Sequence, residues 1–316
     1  MKFFTLSLLL LTSTAWGIRY NRSDYSSEFP AVGIISNPSG SCTGTLITPR
    51  HVLTAEHCYT LKSVFILPAT NEVVNGQSYK VFRGSSSQPF VGGVDSNGIS
   101  NKPDLAILTL EREVTSITPM TLEGHKSVTA LDPLTALGFG ATGIVDRYRD
   151  RQTGLALKTI RSGESSGVQV LWDLLPKLGK ADMQFYAWLS DSSGVRLGLS
   201  TLPVIGSHTM DMITQYNPNH RAEFVYRALL EPATASTLMG LPTTCPGDSG
   251  GPLVRGGKLY GILSGGLVKT PAGIKKSDLT SNQSCLTGLS SFFSSVPSAY
   301  KEIKKFIEKS GHTLQR

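Results

Sequence analysis

The chain has 316 residues, 40% of them hydrophobic and 17% charged, with a formal net charge of +7 at pH 7. That is apolar material enough for one large domain or two ordinary ones, and the absence of a long polar tract or a fixed-period repeat excludes a disordered chain and a solenoid. The positive charge does not mark a nucleic-acid partner: its densest groups, Arg147–Arg151 and Lys301–Lys305, are short, mixed with acids and not laced with aromatics into a stripe.

The first elements in chain order are those of an exported protein. Lys2 supplies a positive start, Phe3–Leu11 is almost unbroken apolar sequence, and Ala15-Trp16-Gly17 fits a small-x-small cleavage site. Residues 1–17 therefore read as a signal peptide, and the expected location is secreted or periplasmic. No cysteine sits near the cut and no later apolar run is long enough to span a bilayer, so no stable membrane anchor is expected.

From Phe29 to Val145 the pattern is short β runs separated by Pro, Gly, Asn and Ser clusters. Strands are predicted over 32–36, 44–47, 51–55, 64–68, 78–83, 104–110 and 134–140, and again over 253–254 and 259–263. This spacing suggests an all-β barrel or sandwich. The stretch near 163–220 holds apolar runs but no chemical motif. At the end, Tyr300, Ile303, Phe306 and Ile307 recur at helical spacing among Lys and Glu, with Gly311 as a stop, which predicts an amphipathic helix over 297–310.

Three peptides carry chemistry. A serine hydroxyl needs a base within reach, and the base needs a partner that fixes its tautomer. His57, within Leu53-Thr-Ala-Glu-His-Cys58, is the candidate base. His51, His125, His208, His220 and His312 lack such context. Asp104 opens the apolar run Leu105-Ala-Ile-Leu108, where a carboxylate is costly unless paired, and an imidazole N–H would pair it. Ser249, in Cys245-Pro-Gly-Asp-Ser-Gly-Gly-Pro-Leu-Val254, is the candidate nucleophile. The glycines around it let the N–H groups of Gly247 and Ser249 point at a substrate carbonyl oxygen.

Four cysteines in an exported chain allow three disulfide connectivities. Local pairing, Cys42 with Cys58 and Cys245 with Cys285, keeps each bridge within one region and is the expected one. The histidines and cysteines lack paired zinc-ligand spacing, so neither a metal nor another cofactor is implied. Asn21-Arg-Ser23 and Asn282-Gln-Ser284 match the glycan acceptor pattern.

CTGTLITPRHVLTAEHC, DLAIL and CPGDSGGPLV resemble the three signatures of chymotrypsin-like (trypsin-family) serine proteases, in the same order. The resemblance covers most of 18–162 and 235–310. It implies two antiparallel six-stranded β-barrels with the site between them: 18–126 carrying His57 and Asp104, and 127–316 carrying Ser249. It also implies a secreted endopeptidase acting on protein or peptide substrates as a monomer, through an acyl-enzyme. Ser264 matches a family serine that supports the buried aspartate, and the backbone of Gly265 and Gly266 is expected to pair with extended substrate. Ile18, freed at the N-terminus, is expected to insert and pair with Asp248.

The departures from the family pattern are specific. Glu56 stands where alanine is usual, and Gly265 replaces an aromatic residue. The interval from Asp104 to Ser249 is longer than the family needs, which places an insertion near 163–220 in the second barrel. Thr243, six residues before Ser249, falls at the base of the primary pocket. It offers no carboxylate, so a preference for Lys or Arg is not expected.

Overall fold

The computed structural model describes residues 24–37, 40–81, 104–125, 133–140, 157–162, 165–170, 177–190, 196–201, 244–268 and 288–315. The expected signal segment and the positions Ile18, Thr243 and Cys285 lie outside the described residues.

Six antiparallel strands form a closed barrel: β1 (Val32–Asn37), β2 (Gly40–Thr48), β3 (His51–Thr54), β4 (Ser63–Leu67), β5 (Glu72–Lys80) and β6 (Ala106–Leu110), in the order β1-β2-β3-β6-β5-β4. Side chains alternate across a strand, and in β1, β3, β4 and β6 both faces are largely buried. Ile35, Val52 and Leu108 belong to one buried cluster with Phe65 and Leu67. Their chain neighbours Ile34, Leu53 and Ile107 belong to another, which also holds Leu137, Val254 and Ile262 of the second half. One face thus fills the barrel and the other packs against the rest of the molecule. That is why these strands read as apolar runs rather than as strict alternation.

The second half contains β7 (Thr121–Leu122), β8 (Pro133–Gly138), β9 (Leu157–Ser162), β10 (Ser165–Val170), β11 (Gly179–Ser190), β12 (Arg196–Thr201), β13 (Pro252–Arg255), β14 (Lys258–Val268) and β15 (Gly288–Ser295). The order β13-β8-β11-β12-β15-β14 closes on itself because β13 also pairs with β14, so the expected second six-stranded ring is present. β7 adds to β14 in parallel, and β9 and β10 form a separate hairpin.

Within the segment near 163–220, where an insertion is expected, β11 and β12 are members of the ring. β11 pairs with β8 from Gly179↔Gly138 to Gln184↔Pro133, and β12 joins β11 to β15. A register shift between Phe185 and Ala187 interrupts the ladder, and such a bulge breaks the period of two by which a strand is recognised.

The expected terminal helix is α1 (Val296–Lys309). Val296, Ala299, Ile303 and Ile307 are buried in the cluster shared by the two halves, while Lys301, Glu302, Lys304, Lys305 and Glu308 face outward. Among the described residues no helix is long and apolar enough to cross a membrane.

Candidate active site

His57 sits in a single 3-10 turn, Glu56–Cys58, that follows β3. The Cys42–Cys58 disulfide is formed and ties this turn to β2. Asp104 lies just before β6, the strand beside β3, so barrel closure brings the carboxylate to the imidazole. The His57 N–H donates to Asp104 Oδ1 at 2.9 Å, and His57 Nδ1 stands 2.6 Å from Asp104 Oδ2. Ser264, on β14, donates its hydroxyl to the same Oδ2 at 2.7 Å. Ser294, on β15, donates to the Asp104 carbonyl at 3.3 Å.

Asp104 is 7% exposed and gathers these partners from both halves. An ionised carboxylate only accepts, so against one, His57 Nδ1 carries the proton in this contact and Nε2 keeps its lone pair. That is the tautomer a general base requires. Among the described residues no hydrogen bond joins Ser249 Oγ to His57, a contact that in other hydrolytic sites often tightens only with substrate bound.

The loop that carries Ser249 is built around Asp248, which is fully buried. Its carboxylate accepts the N–H of Gly140 at 2.6 Å and of Cys245 at 2.7 Å. The N–H of Asp248 goes to the Cys245 carbonyl, that of Gly250 to Leu263 and that of Gly251 to Asp248. The N–H groups of Gly247 and Ser249 have no acceptor among the described residues. Gly247 adopts φ +95°, a region open to glycine, and a Cβ on Gly250 would fall on Thr54 Oγ1 and the Thr43 carbonyl. Two N–H donors without an acceptor in one tight turn are available to a ligand oxygen.

Gly265 and Gly266 follow Ser264 on β14, opposite Phe292 and Ser291 of β15. Cys245 is disulfide-bonded, while its expected partner Cys285 lies outside the described residues. Ligand atoms of Cys42, His57 and Cys58 cluster within 4.8 Å. Both sulfurs are spent on the disulfide, however, so the group offers no thiolate to a metal.

Three contributors escaped sequence reasoning. Ser294 gives no motif. Lys80 closes 2.6 Å on the carboxylate of Glu56, beside His57, from a strand far along the chain. Thr43 bridges the two halves: its N–H donates to the Ser249 carbonyl at 2.8 Å and its hydroxyl to the Gly247 carbonyl at 3.1 Å. Its position next to Cys42 was the one available signal.

A family model described as Trypsin matches residues 18–168 and 199–281. Among solved structures, the chain is similar to neuropsin, a serine protease expressed in the limbic system of mouse brain, at 16% identity and a TM-score of 0.48, covering 92% of this chain and 98% of that one. It is also similar to human heparin binding protein, at 17% identity and a TM-score of 0.49, covering 95% of this chain and 100% of that one. No curated protein sequence matches it.

Proposed function

The chain belongs to the trypsin family, and from that premise we propose that it is a serine endopeptidase with His57, Asp104 and Ser249 as its catalytic residues. The observation that carries the reading is the His57–Asp104–Ser264 hydrogen-bond chain, centred on a buried carboxylate, beside a loop with two unused N–H donors.

Ser249 Oγ attacks the scissile carbonyl carbon while His57 Nε2 takes its proton. The carbonyl oxygen becomes an oxyanion held by the N–H groups of Gly247 and Ser249. The resulting imidazolium is stabilised by Asp104 and returns the proton to the leaving amine. Water, deprotonated by the same imidazole, then cleaves the acyl-serine ester and restores the enzyme.

The neutral Thr243 at the pocket base favours small or medium apolar side chains before the scissile bond rather than Lys or Arg. The protein is exported, and removal of residues 1–17 frees Ile18 to pair with Asp248. Sequencing the N-terminus of the secreted protein checks this, and a start away from Ile18 counts against it.

The deciding experiment is covalent labelling with a fluorophosphonate, followed by cleavage profiling on a peptide library. The expected result is labelling that is abolished in Ser249→Ala and suppressed in His57→Ala. Failure of the freshly secreted wild type to label would favour a protease-shaped binding module instead. Predominant cleavage after Lys or Arg would refute the pocket assignment.

A further inference from the structure

We propose that the Thr43 side-chain hydroxyl is a positioning group for the oxyanion site, holding the Gly247 peptide in its donating orientation. The inference rests on the protease reading above.

Thr43 lies on β2 of the first barrel and is fully buried. Every polar atom it owns is used. Its carbonyl accepts the Thr54 hydroxyl at 2.9 Å, and its N–H donates to the Ser249 carbonyl at 2.8 Å. Its hydroxyl accepts the N–H of Phe139, just past β8, at 3.0 Å and donates to the Gly247 carbonyl at 3.1 Å. One residue of the first barrel therefore grips both residues assigned above to the oxyanion, Ser249 through its main chain and Gly247 through its side chain.

The two grips differ in what they ask of the sequence. The main-chain bond to Ser249 is available to almost any residue at position 43. The bond to Gly247 needs a hydroxyl, and it falls on the residue in the loop that most needs restraint. Gly247 sits at φ +95° with no Cβ to limit its rotation. Its N–H has no acceptor to hold it among the described residues. Anchoring its carbonyl limits rotation of the residue as a whole. The anchor is itself held, because the hydroxyl oxygen also accepts the Phe139 N–H while it donates to the Gly247 carbonyl.

An oxyanion donor acts on the transition state more than on bound substrate, so loosening it lowers kcat and leaves KM nearly unchanged. The test compares Thr43→Val, which keeps shape and loses the hydroxyl, with Thr43→Ser, which keeps the hydroxyl. Thr43→Ala is the second variant should valine prevent folding. Rates are taken per active site, counted by fluorophosphonate titration, on a peptide substrate chosen by library profiling, with thermal melting run alongside.

The expected result is a kcat roughly tenfold or more below wild type for valine and alanine, at unchanged KM. Serine is expected within about twofold of wild type. A kcat per active site in the valine and alanine variants equal to wild type overturns the proposal, as does an equal loss in the serine variant. A wild type that does not label overturns the protease reading itself, and this proposal with it.

Discussion

Lys80 sets its ammonium 2.6 Å from the carboxylate of Glu56, whose side chain is 5% exposed, one residue before His57. The pair joins the turn that carries the imidazole to the end of β5, and Lys80 also lies 5.7 Å from the centre of the Tyr59 ring. A buried carboxylate is tolerable only while its partner is present. Lys80→Met is therefore expected to destabilise the fold by on the order of 2 kcal/mol, because the lysine is itself partly exposed. Glu56→Ala combined with Lys80→Met removes the buried carboxylate together with its lysine and is expected to melt above Lys80→Met alone. Thermal unfolding of the single and double variants decides it. A double variant that melts below both singles would show that the pair is not the source of the cost.

Ser264 and His57 meet on a single oxygen, Asp104 Oδ2, at 2.7 and 2.6 Å. Ser264→Ala removes one donor and leaves the carboxylate attached to the imidazole. Activity per active site is expected to fall about tenfold. Asp104→Asn, which favours the wrong imidazole tautomer, is expected to cost about 10⁴ in kcat. Steady-state kinetics on a profiled peptide give both numbers. Equal losses in the two variants would remove Asp104 from its orienting role.

The Cys42–Cys58 bridge spans a sequence separation of 16 and closes directly on the His57 turn. Loop closure of that size contributes about 3 kcal/mol. Cys42→Ala with Cys58→Ala is expected to lose stability of that order and to lower kcat as well, because the turn loses its tether to β2. Denaturant unfolding and kinetics at a temperature where the variant stays folded separate the two effects. A kcat equal to wild type in the folded variant would confine the disulfide to stability.

Much of the proposed arrangement was legible in the chain because the three proposed roles demand particular neighbours. Ser249 must sit among glycines, His57 beside a cysteine that can be tethered, and Asp104 at the mouth of an apolar strand. The first barrel was legible for a similar reason: turn residues punctuate it, and its apolar strands need both faces covered. What escaped was long-range. Thr43 is an ordinary strand threonine until folding brings it to Phe139 and Gly247, which lie 96 and 204 residues away. Ser294 and Lys80 acquire their roles in the same way. β11 and β12 escaped because a bulge interrupts their alternation and no chemical residue marks them.

His51 contributes acid sensitivity to the fold. It is fully buried on β3, where Nδ1 meets the Thr48 hydroxyl at 2.7 Å and Nε2 the Ser310 hydroxyl at 3.1 Å, just past α1. Its ring lies edge-on to Phe306 and His312, and Glu113 stands 3.5 Å from His312 on the far side. Burial, reinforced by the nearby positive charge of His312 and Arg50, lowers its pKa from 6.5 to about 4. The unfolded chain therefore binds a proton at this position below pH 6.5 that the folded chain refuses until about pH 4. The stability that the neutral ring provides is complete above the unfolded value and is lost as pH falls through this window. At its acid end the loss amounts to about 2–3 kcal/mol. His51→Phe cannot take up the proton. It is expected to melt below wild type at pH 7.5, having lost two hydrogen bonds worth about 1 kcal/mol each. At pH 4.5 the gap is expected to narrow or reverse. Parallel melting curves for the two proteins across that range would assign the acid response to other groups.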